Sequence, residues 1–117
     1  MSFLNKFKFT NKKILILGGS GLIGSKIAKN MASIGGNDLI LNIKKNKDLK
    51  NIKYIKFNCE KLNLLKKKIK KIIKKFGCPD VFINCSYPRT KDWNKCSFKK
   101  INLKRMRKNI EINMNSF

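Results

Sequence analysis

The sequence predicts an α/β fold, a doubly wound parallel sheet with helices on its faces that is truncated after about four strands. Short apolar runs of strand length alternate with amphipathic helical patterns along the chain, which is typical of a parallel sheet. The first apolar run breaks into a glycine turn that leads directly into a helix. The 117 residues fit one domain. We divide them into an N-terminal lead at 1–11 and a partial dinucleotide-binding domain at 12–117.

The glycine turn follows the first predicted strand, Ile14 to Leu17. Gly19, Gly21 and Gly24 fit the G-x-G-x-x-G spacing of a Rossmann-like dinucleotide loop. In such a loop the first glycine permits a tight turn, the second admits a pyrophosphate and the third lets helix and strand pack closely. The helix that follows directs unpaired N–H groups and a positive dipole end at phosphate. A purely structural turn is the alternative. The predicted cofactor contacts are Gly18, Gly19, Ser20, Gly21, Leu22, Ile23 and Gly24.

The remaining elements alternate in the same manner. After a first helix at Leu22 to about Ile34, we predict strands at Asp38 to Ile43, Lys53 to Phe57 and Asp80 to Asn84, and helices at about Lys61 to Phe76 and from about Phe98 or Lys99 onwards. Helical spacing predicts one buried row on each helix. The rows are Ile23, Ile27 and Met31, with Ala28 and Ala32 beside them; Leu62, Leu65, Ile69, Ile72, Ile73 and Phe76; and Leu103, Met106, Ile110, Met114 and Phe117.

The charge is extreme but does not by itself define a partner. The chain has 29 Lys and Arg against 6 acids, a net charge of +23. Lys, Ile and Asn, which have A/T-rich codons, account for about half of the residues. Only three cations are Arg, whereas nucleic-acid sites favour Arg and stacked aromatics, so we predict no specific nucleic-acid partner. The lysine-rich face of the second helix is expected to be solvated, with an anionic membrane surface as the alternative.

Cysteine usage and hydropathy indicate a cytoplasmic protein without a metal. The four cysteines form no C-x-x-C pair and the chain has no His, which argues against zinc and for reduced, mostly buried thiols. No apolar run reaches the length of a membrane span. The basic N-terminal lead lacks the apolar stretch of a signal peptide.

Several of these residues together resemble the N-terminal half of the short-chain dehydrogenase/reductase family. After the glycine loop, Asn58-Cys59 ends the third strand, where the family carries an Asp that contacts adenine. Asn84-Cys85-Ser86 resembles the family's Asn-Asn-Ala-Gly motif. Asn113 in Ile112-Asn113-Met114 resembles the Asn of the catalytic tetrad, which holds a proton-relay water. The resemblance therefore implies cofactor contacts at Asn58, Cys59, Asn84, Cys85 and Ser86, and a catalytic role for Asn113.

Departures from the family pattern refine the expectation. The spacing Gly18, Gly21, Gly24 is closer to the sugar-nucleotide-modifying branch of the family. The end of the second strand carries Asn42 and then Lys44 in place of the acid that binds the ribose hydroxyls of NAD, which favours NADP over NAD. Tyr87-Pro88-Arg89 resembles reductases of flagellin modification and nonulosonic acid synthesis, which would imply a sugar substrate.

The resemblance implies an oxidoreductase that transfers a hydride between a nicotinamide and a hydroxyl or carbonyl substrate. The family's Tyr-x-x-x-Lys lies beyond the half that this chain matches, so we expect a cofactor-binding half of an enzyme. Tyr87 and Lys91 share the motif's spacing, but Pro88 between them prevents a common helix face. The alternative is a non-catalytic nucleotide-binding or partner-docking module. The family's strand order, 3-2-1-4-5, would leave the fourth strand as an open edge, which invites a partner or a second copy.

Overall fold

A computed structural model describes residues 6, 8–87, 99–100 and 102–114. Four strands and three helices follow one another along the described chain. They are β1 (Lys13–Leu17), α1 (Leu22–Ser33), β2 (Asn37–Asn42), β3 (Lys53–Lys56), α2 (Leu62–Phe76), β4 (Val81–Asn84) and α3 (Leu103–Met114).

The four strands form one parallel sheet in the order β3-β2-β1-β4. In the register of the sheet, Leu15 of β1 lies between Leu39 of β2 and Phe82 of β4. Because all strands run in the same direction, their carboxyl ends meet at one edge of the sheet. The chain adds β2 and β3 on one side of β1 and then β4 on its other side, so the strand order reverses at β1. Such a switch point is where open α/β sheets bind ligands. The predicted fold class, a Rossmann-like sheet of four strands, is confirmed.

Apolar side chains fill a layer on each face of the sheet. On the α1 face, Ile14, Ile16 and Ile40 have at most 1% of their surface exposed and pack with Ala28 and Leu49. On the opposite face, Leu15, Leu17, Leu39, Leu41 and Ile72 of α2 form the second cluster. This alternation explains why β1 and β2 are apolar at nearly every position, since a strand covered on both faces has no solvent side.

The connection from β2 to β3 has no helix within the described residues. It contributes Leu49, which is 4% exposed, to the α1-face cluster, with Ile52 packed beside it. These two side chains close the part of the sheet that a crossover helix would otherwise cover.

The buried rows of α1 and α2 differ from the predicted ones. Ile23 is 68% exposed, because Gly24 and Ala28 form the row that faces the body of the protein. In α2, Ile69 and Ile73 are each 40% exposed and Ile72 is the buried residue. A helix lying on a sheet buries a narrower arc than six apolar residues span, so only part of the predicted α2 row is in contact.

The start of α3 was predicted too early. Asn102 Oδ1 accepts a hydrogen bond from the backbone N–H of Arg105 at 2.9 Å, which is the geometry of an N-cap. The helix therefore begins at Leu103 rather than at Lys99, which lies in a turn. Phe98, the other predicted start, lies outside the described residues.

The predicted buried row of α3 is wrong. Its members are exposed by 44% to 71%: Leu103, Met106, Ile110 and Met114. Ile112 is the buried residue of α3, and the polar residues Arg105, Asn109 and Asn113 are half-buried. The apolar row of α3 therefore faces outwards, and Phe117, the last predicted member, lies outside the described residues.

Strand β4 forms one edge of the described sheet. It pairs with β1, and no described strand pairs with its other side. Phe82 on this strand is 54% exposed. Within the described part of the chain, no helix is long and apolar enough to cross a membrane.

Candidate dinucleotide site

The tight turn after β1 is centred on Gly18. Its φ of +76° lies in the left-handed region that favours glycine. A Cβ added at Gly18 would lie 2.6 Å from the backbone nitrogen of Ser86 and 2.7 Å from the carbonyl carbon of Cys85. The Gly18 N–H donates to the Leu41 carbonyl at 2.8 Å. Backbone conformation and space both exclude a side chain at this position, where the loop lies against the segment after β4.

Gly24 supplies the close contact between α1 and the loop. A Cβ here would overlap the Gly18 carbonyl oxygen and lie 2.8 Å from the Gly19 Cα. At Gly19, by contrast, the three atoms nearest to an added Cβ belong to the side chains of Ile40 and Ile16, at 2.9 to 3.1 Å. The glycines constrained by backbone contacts are therefore Gly18 and Gly24. The tight-turn role that the first spacing gave to Gly19 belongs to Gly18.

Gly21 differs from both because the space beside it is open. A Cβ would meet only the Gly18 carbonyl oxygen, at 3.4 Å. Gly21 is the N-cap of α1, with φ −76° and ψ −179° and no side-chain capping bond. The first helical N–H groups, on Leu22, Ile23 and Gly24, have no acceptor within a helix. The N-terminus of α1 thus presents uncapped donors next to an open surface, which suits an anion.

The glycine turn and the first N–H groups of α1, residues 18–24, form a cradle, and two polar groups hold and line it. Asn46 Nδ2 donates to the Ser20 carbonyl at 3.3 Å, so the β2–β3 connection fixes the glycine loop. The Ser20 hydroxyl is buried and has no hydrogen-bond partner among the described residues. Open space at Gly21, uncapped amides and an orphaned hydroxyl fit a diphosphate group.

A cavity of about 490 Å³ lies beside the cradle at the carboxyl ends of the strands. It contains six of the predicted cofactor contacts: Gly18, Gly21, Asn42, Cys59, Cys85 and Ser86. The other described lining residues are Leu17, Leu41, Ile43, Phe57, Glu60 and Tyr87. The volume lies in the range of small-molecule and cofactor sites, about 300 to 1,000 Å³.

Three asparagines at strand ends shape the loops around the cavity. Asn42 Oδ1 accepts the N–H of Ile43 at 2.7 Å. Asn58 Oδ1 accepts the N–H of Glu60 at 2.9 Å, and Asn84 Oδ1 accepts both the N–H and the hydroxyl of Ser86 at 3.0 Å. The side chains of Asn58 and Asn84 each bond to the backbone two residues further on and so close a short local turn, a common role of Asn. Asn58 and Asn84 lie outside the lining, and their turns present Cys59, Glu60 and Ser86 to it.

Two thiols line the cavity, of which Cys59 is buried and Cys85 is half-buried. Burial raises the pKa of Cys59, although a hydrogen bond with the Ser86 side chain opposes the shift. Burial also raises the pKa of Cys85. Both are therefore protonated and weakly nucleophilic at neutral pH. Cys59, Cys78 and Cys85 are free, and no group of three metal-ligating side chains occurs among the described residues.

The other predicted site residues lie elsewhere. Asn113 is half-buried on α3 and its Nδ2 donates to the Asn109 carbonyl at 2.9 Å. Lys44 is exposed and outside the lining. Pro88, Arg89 and Lys91 lie outside the described residues.

Sequence reasoning missed the six other lining residues, which are Leu17, Leu41, Ile43, Phe57, Glu60 and Tyr87. The signal that could have found them was their position at or just after the carboxyl ends of the four strands. Because parallel strands deliver the following residues to one edge of the sheet, these positions were candidates for the cavity.

The sheet order, the glycine turn and the cavity define a dinucleotide-binding unit of the Rossmann type. A model of the NAD dependent epimerase/dehydratase family matches residues 14–114. The chain belongs to that family. A search among curated proteins found no match.

Solved structures share the fold of the chain. A short-chain dehydrogenase from Leptospira borgpetersenii with bound NAD+ aligns with a TM-score of 0.78 and 22% identity, over 99% of this chain and 44% of that one. Thermoplasma acidophilum aldohexose dehydrogenase aligns with a TM-score of 0.75 and 19% identity, over 92% of this chain and 40% of that one. The predicted resemblance to short-chain dehydrogenases is confirmed at the level of fold. The chain spans less than half the length of these proteins.

Proposed function

We propose that the chain is the cofactor-binding half of an NAD(P)-dependent oxidoreductase of the short-chain dehydrogenase/reductase type. One observation carries the proposal: the open, uncapped N-terminus of α1 at Gly21 lies beside the cavity at the sheet's switch point. A diphosphate bridging two nucleosides needs both features in this arrangement. Membership of an NAD dependent family and the Leptospira borgpetersenii dehydrogenase structure with bound NAD+ support the cofactor.

The residues of the site would divide the cofactor between them. The N–H groups of Leu22, Ile23 and Gly24 would donate to the diphosphate, with the Ser20 hydroxyl nearby. Asn42 and Cys59 line the cavity where the adenosine would lie. The bound nicotinamide would supply hydride transfer. Asn113 remains a proposed catalytic-tetrad residue, which would help hold a proton-relay water.

The proposed substrate is a small molecule with a hydroxyl or carbonyl group, and a sugar derivative is one candidate. The name of the aldohexose dehydrogenase with the same fold supports a sugar. The resemblance to flagellin-modification reductases depends on Tyr87 and on two residues outside the described ranges. It remains a proposal.

A partner-docking role is the second candidate function, and two exposed surfaces favour it. No described strand pairs with the outer side of β4, and the row Leu103, Met106, Ile110 and Met114 presents apolar side chains. Exposed apolar patches of this kind mark interaction sites. A second copy of the chain or another polypeptide would cover them.

The substitution Gly21→Ala tests the cofactor proposal. The added methyl would make only an ordinary contact with the Gly18 oxygen, and the φ and ψ of Gly21 suit alanine. The fold should therefore be retained, while the methyl occupies the space of the diphosphate. We expect NADH and NADPH to bind about tenfold more weakly or worse, which is about 1.4 kcal/mol, in calorimetric titrations of the whole chain.

Gly19→Ala is the matched control, because its methyl meets the Ile40 and Ile16 side chains on the core side. It should lower the melting temperature by overpacking the core, and it should weaken dinucleotide binding less than Gly21→Ala does, because its methyl lies against core side chains rather than in the space proposed for the diphosphate. Absence of NADH and NADPH binding by the parent chain would refute the cofactor proposal. Equal affinity of the parent and Gly21→Ala would refute the placement of the diphosphate.

A further inference from the structure

Tyr54 of β3 is not among the described residues that line the cavity, yet its hydroxyl reaches the rim of that cavity. Its ring is half-buried and packs against the α1-face cluster. In the register of the sheet, Tyr54 lies beside Ile40 of β2, and its hydroxyl bonds to the backbone at the end of β2. The side chain therefore joins the core to the point where the chain leaves the sheet.

Two successive carbonyls accept a hydrogen bond from the Tyr54 hydroxyl. Its oxygen lies 2.9 Å from the Asn42 carbonyl oxygen and 3.1 Å from the Ile43 carbonyl oxygen. Neighbouring carbonyls of a strand point in opposite directions, so the two converge on one donor because the chain bends directly after β2, at residues 43–44. A single proton shared between two acceptors forms a three-centre bond. The hydroxyl therefore holds this bend in place.

The bend carries two residues that line the cavity, Asn42 and Ile43. The Ile43 side chain is 46% exposed, so packing in the core does little to fix it. Its backbone is fixed instead, because the N–H donates to Asn42 Oδ1 at 2.7 Å and the carbonyl accepts from Tyr54. An exposed apolar side chain on a fixed backbone offers a preorganised contact surface to a ligand.

We infer that Tyr54 is a positioning residue for the nucleoside end of the bound dinucleotide, acting through Asn42 and Ile43. The inference rests on the proposed cofactor function, in which the adenosine lies beside Asn42. A bend that is ordered before the ligand arrives removes an entropic cost from binding. The cradle at the start of α1 has a separate support, since Asn46 bonds to the Ser20 carbonyl. Loss of the Tyr54 hydroxyl should therefore weaken the nucleoside contacts and spare the diphosphate.

The substitution Tyr54→Phe tests the inference, because it removes the hydroxyl and keeps the ring. The Asn42 carbonyl retains the Phe57 N–H at 2.9 Å, and water can replace the hydroxyl at the exposed Ile43 carbonyl. The melting temperature should therefore fall by less than about 5 °C. NADH should bind about five- to tenfold more weakly in fluorescence titrations of the whole chain. As competitors of NADH, adenosine and ADP should weaken by a similar factor, whereas pyrophosphate should change by less than about twofold.

Amide hydrogen exchange gives a second readout at the bend itself. In Tyr54→Phe, the backbone amides of residues 43–46 should exchange faster than in the parent chain, while exchange in β1 stays the same. Ser33→Ala is the matched control. The Ser33 hydroxyl donates to the Asn30 carbonyl at 2.7 Å at the last residue of α1, so the variant loses the same kind of bond at the helix end opposite the cradle. It should leave the affinities and the exchange at the bend unchanged.

Unchanged affinities for NADH and ADP in Tyr54→Phe would overturn the inference. So would a loss of pyrophosphate binding equal to the loss of ADP binding, or a loss of folded structure, since either would show a general structural role for Tyr54. In each of these cases the parent chain still binds NADH, and the proposed cofactor function stands. A parent chain that binds neither NADH nor NADPH would remove the proposed cofactor function and the inference with it.

Discussion

Asp38 is the residue with the least favourable surroundings in the described structure. It is 5% exposed at the start of β2, and neither carboxylate oxygen has a hydrogen-bond partner among the described residues. Burial raises its pKa from 3.8 to about 6. An ionised carboxylate without a partner is costly inside a protein. This cost to stability is fully present above pH 6 and decreases as the pH falls towards 4. It disappears once Asp38 is protonated in both the folded and the unfolded chain.

Asp38→Asn should therefore stabilise the chain at pH 7. A difference of about two pKa units corresponds to about 3 kcal/mol, and because the amide also lacks partners we expect about 1 to 3 kcal/mol. The free energy of unfolding can be measured by urea titration between pH 4 and 7. As the pH rises over this range, it should fall less in the variant than in the parent. Equal slopes in the two proteins would contradict the prediction.

Asp80→Asn is a control that should change the stability in the opposite direction. The Asp80 carboxylate accepts the Lys13 N–H at 2.8 Å and lies 3.7 Å from the Lys12 ammonium. Hydrogen bonding from the Lys13 backbone, with help from both lysine charges, lowers its pKa. Its contribution is present above the pKa of the unfolded state and is lost as the pH falls through the lower folded pKa. Removal of this charge should destabilise the chain at pH 7.

At the scale of elements, α3 is the helix whose orientation least matches its pattern. Its apolar row faces outwards, while Ile112 and half-buried polar residues face inwards. The side-chain amides of Asn109 and Asn113 donate to backbone carbonyls four residues earlier in the same helix. The exposed row is an unpartnered apolar face, and such faces are covered in stable assemblies.

Met106→Lys combined with Ile110→Lys should weaken self-association. Both positions are more than 40% exposed, so the fold should lose little stability, while two added charges oppose burial of the row. Sedimentation velocity should show the parent chain associating as concentration rises and the double variant remaining monomeric. Lys108→Gln, at an exposed position of the same helix, should associate like the parent. A parent that stays monomeric would rule out a second copy as the occupant.

At the scale of the whole molecule, the dominant feature is the field of a chain with a net charge of +23. The field attracts anions to every part of the surface, including the cradle at α1. Local geometry, rather than the field, distinguishes the cradle from other basic surface. The field adds to the affinity of any phosphorylated ligand and is screened by salt.

Dinucleotide affinity should therefore fall as salt increases. Raising the salt from about 0.05 to about 0.5 M shortens the screening length to below about 5 Å. Over this range we expect the Kd for NADH to rise several-fold in fluorescence titrations. Adenosine, which carries no phosphate, should show a much smaller change in a competition assay. A Kd for NADH that does not change with salt would show that the lysines contribute little to binding.

The cradle and the strands were predictable because their causes are local. The spaced glycines between an apolar strand and a helix leave the chain few alternative conformations. Strands β1 and β2 are apolar at nearly every position because both of their faces are covered. The rows of α2 and α3 were less predictable. Helical spacing identifies an apolar face but does not say which neighbour, if any, covers it, so Ile69, Met106 and Ile110 were assigned to a core that they do not join.

By itself, the sequence determined the order of strands and helices, the parallel sheet and the place of the glycine turn, because period, glycines and helix termini act over a few residues. Only the tertiary structure decided that Gly18 rather than Gly19 carries the turn. The reason is a contact with the chain after β4, far away in sequence. The tertiary structure also decided that Glu60 lines the cavity and that Lys44 lies outside its lining. The reason is that the packing of the strand ends selects which charged side chains lie at the site.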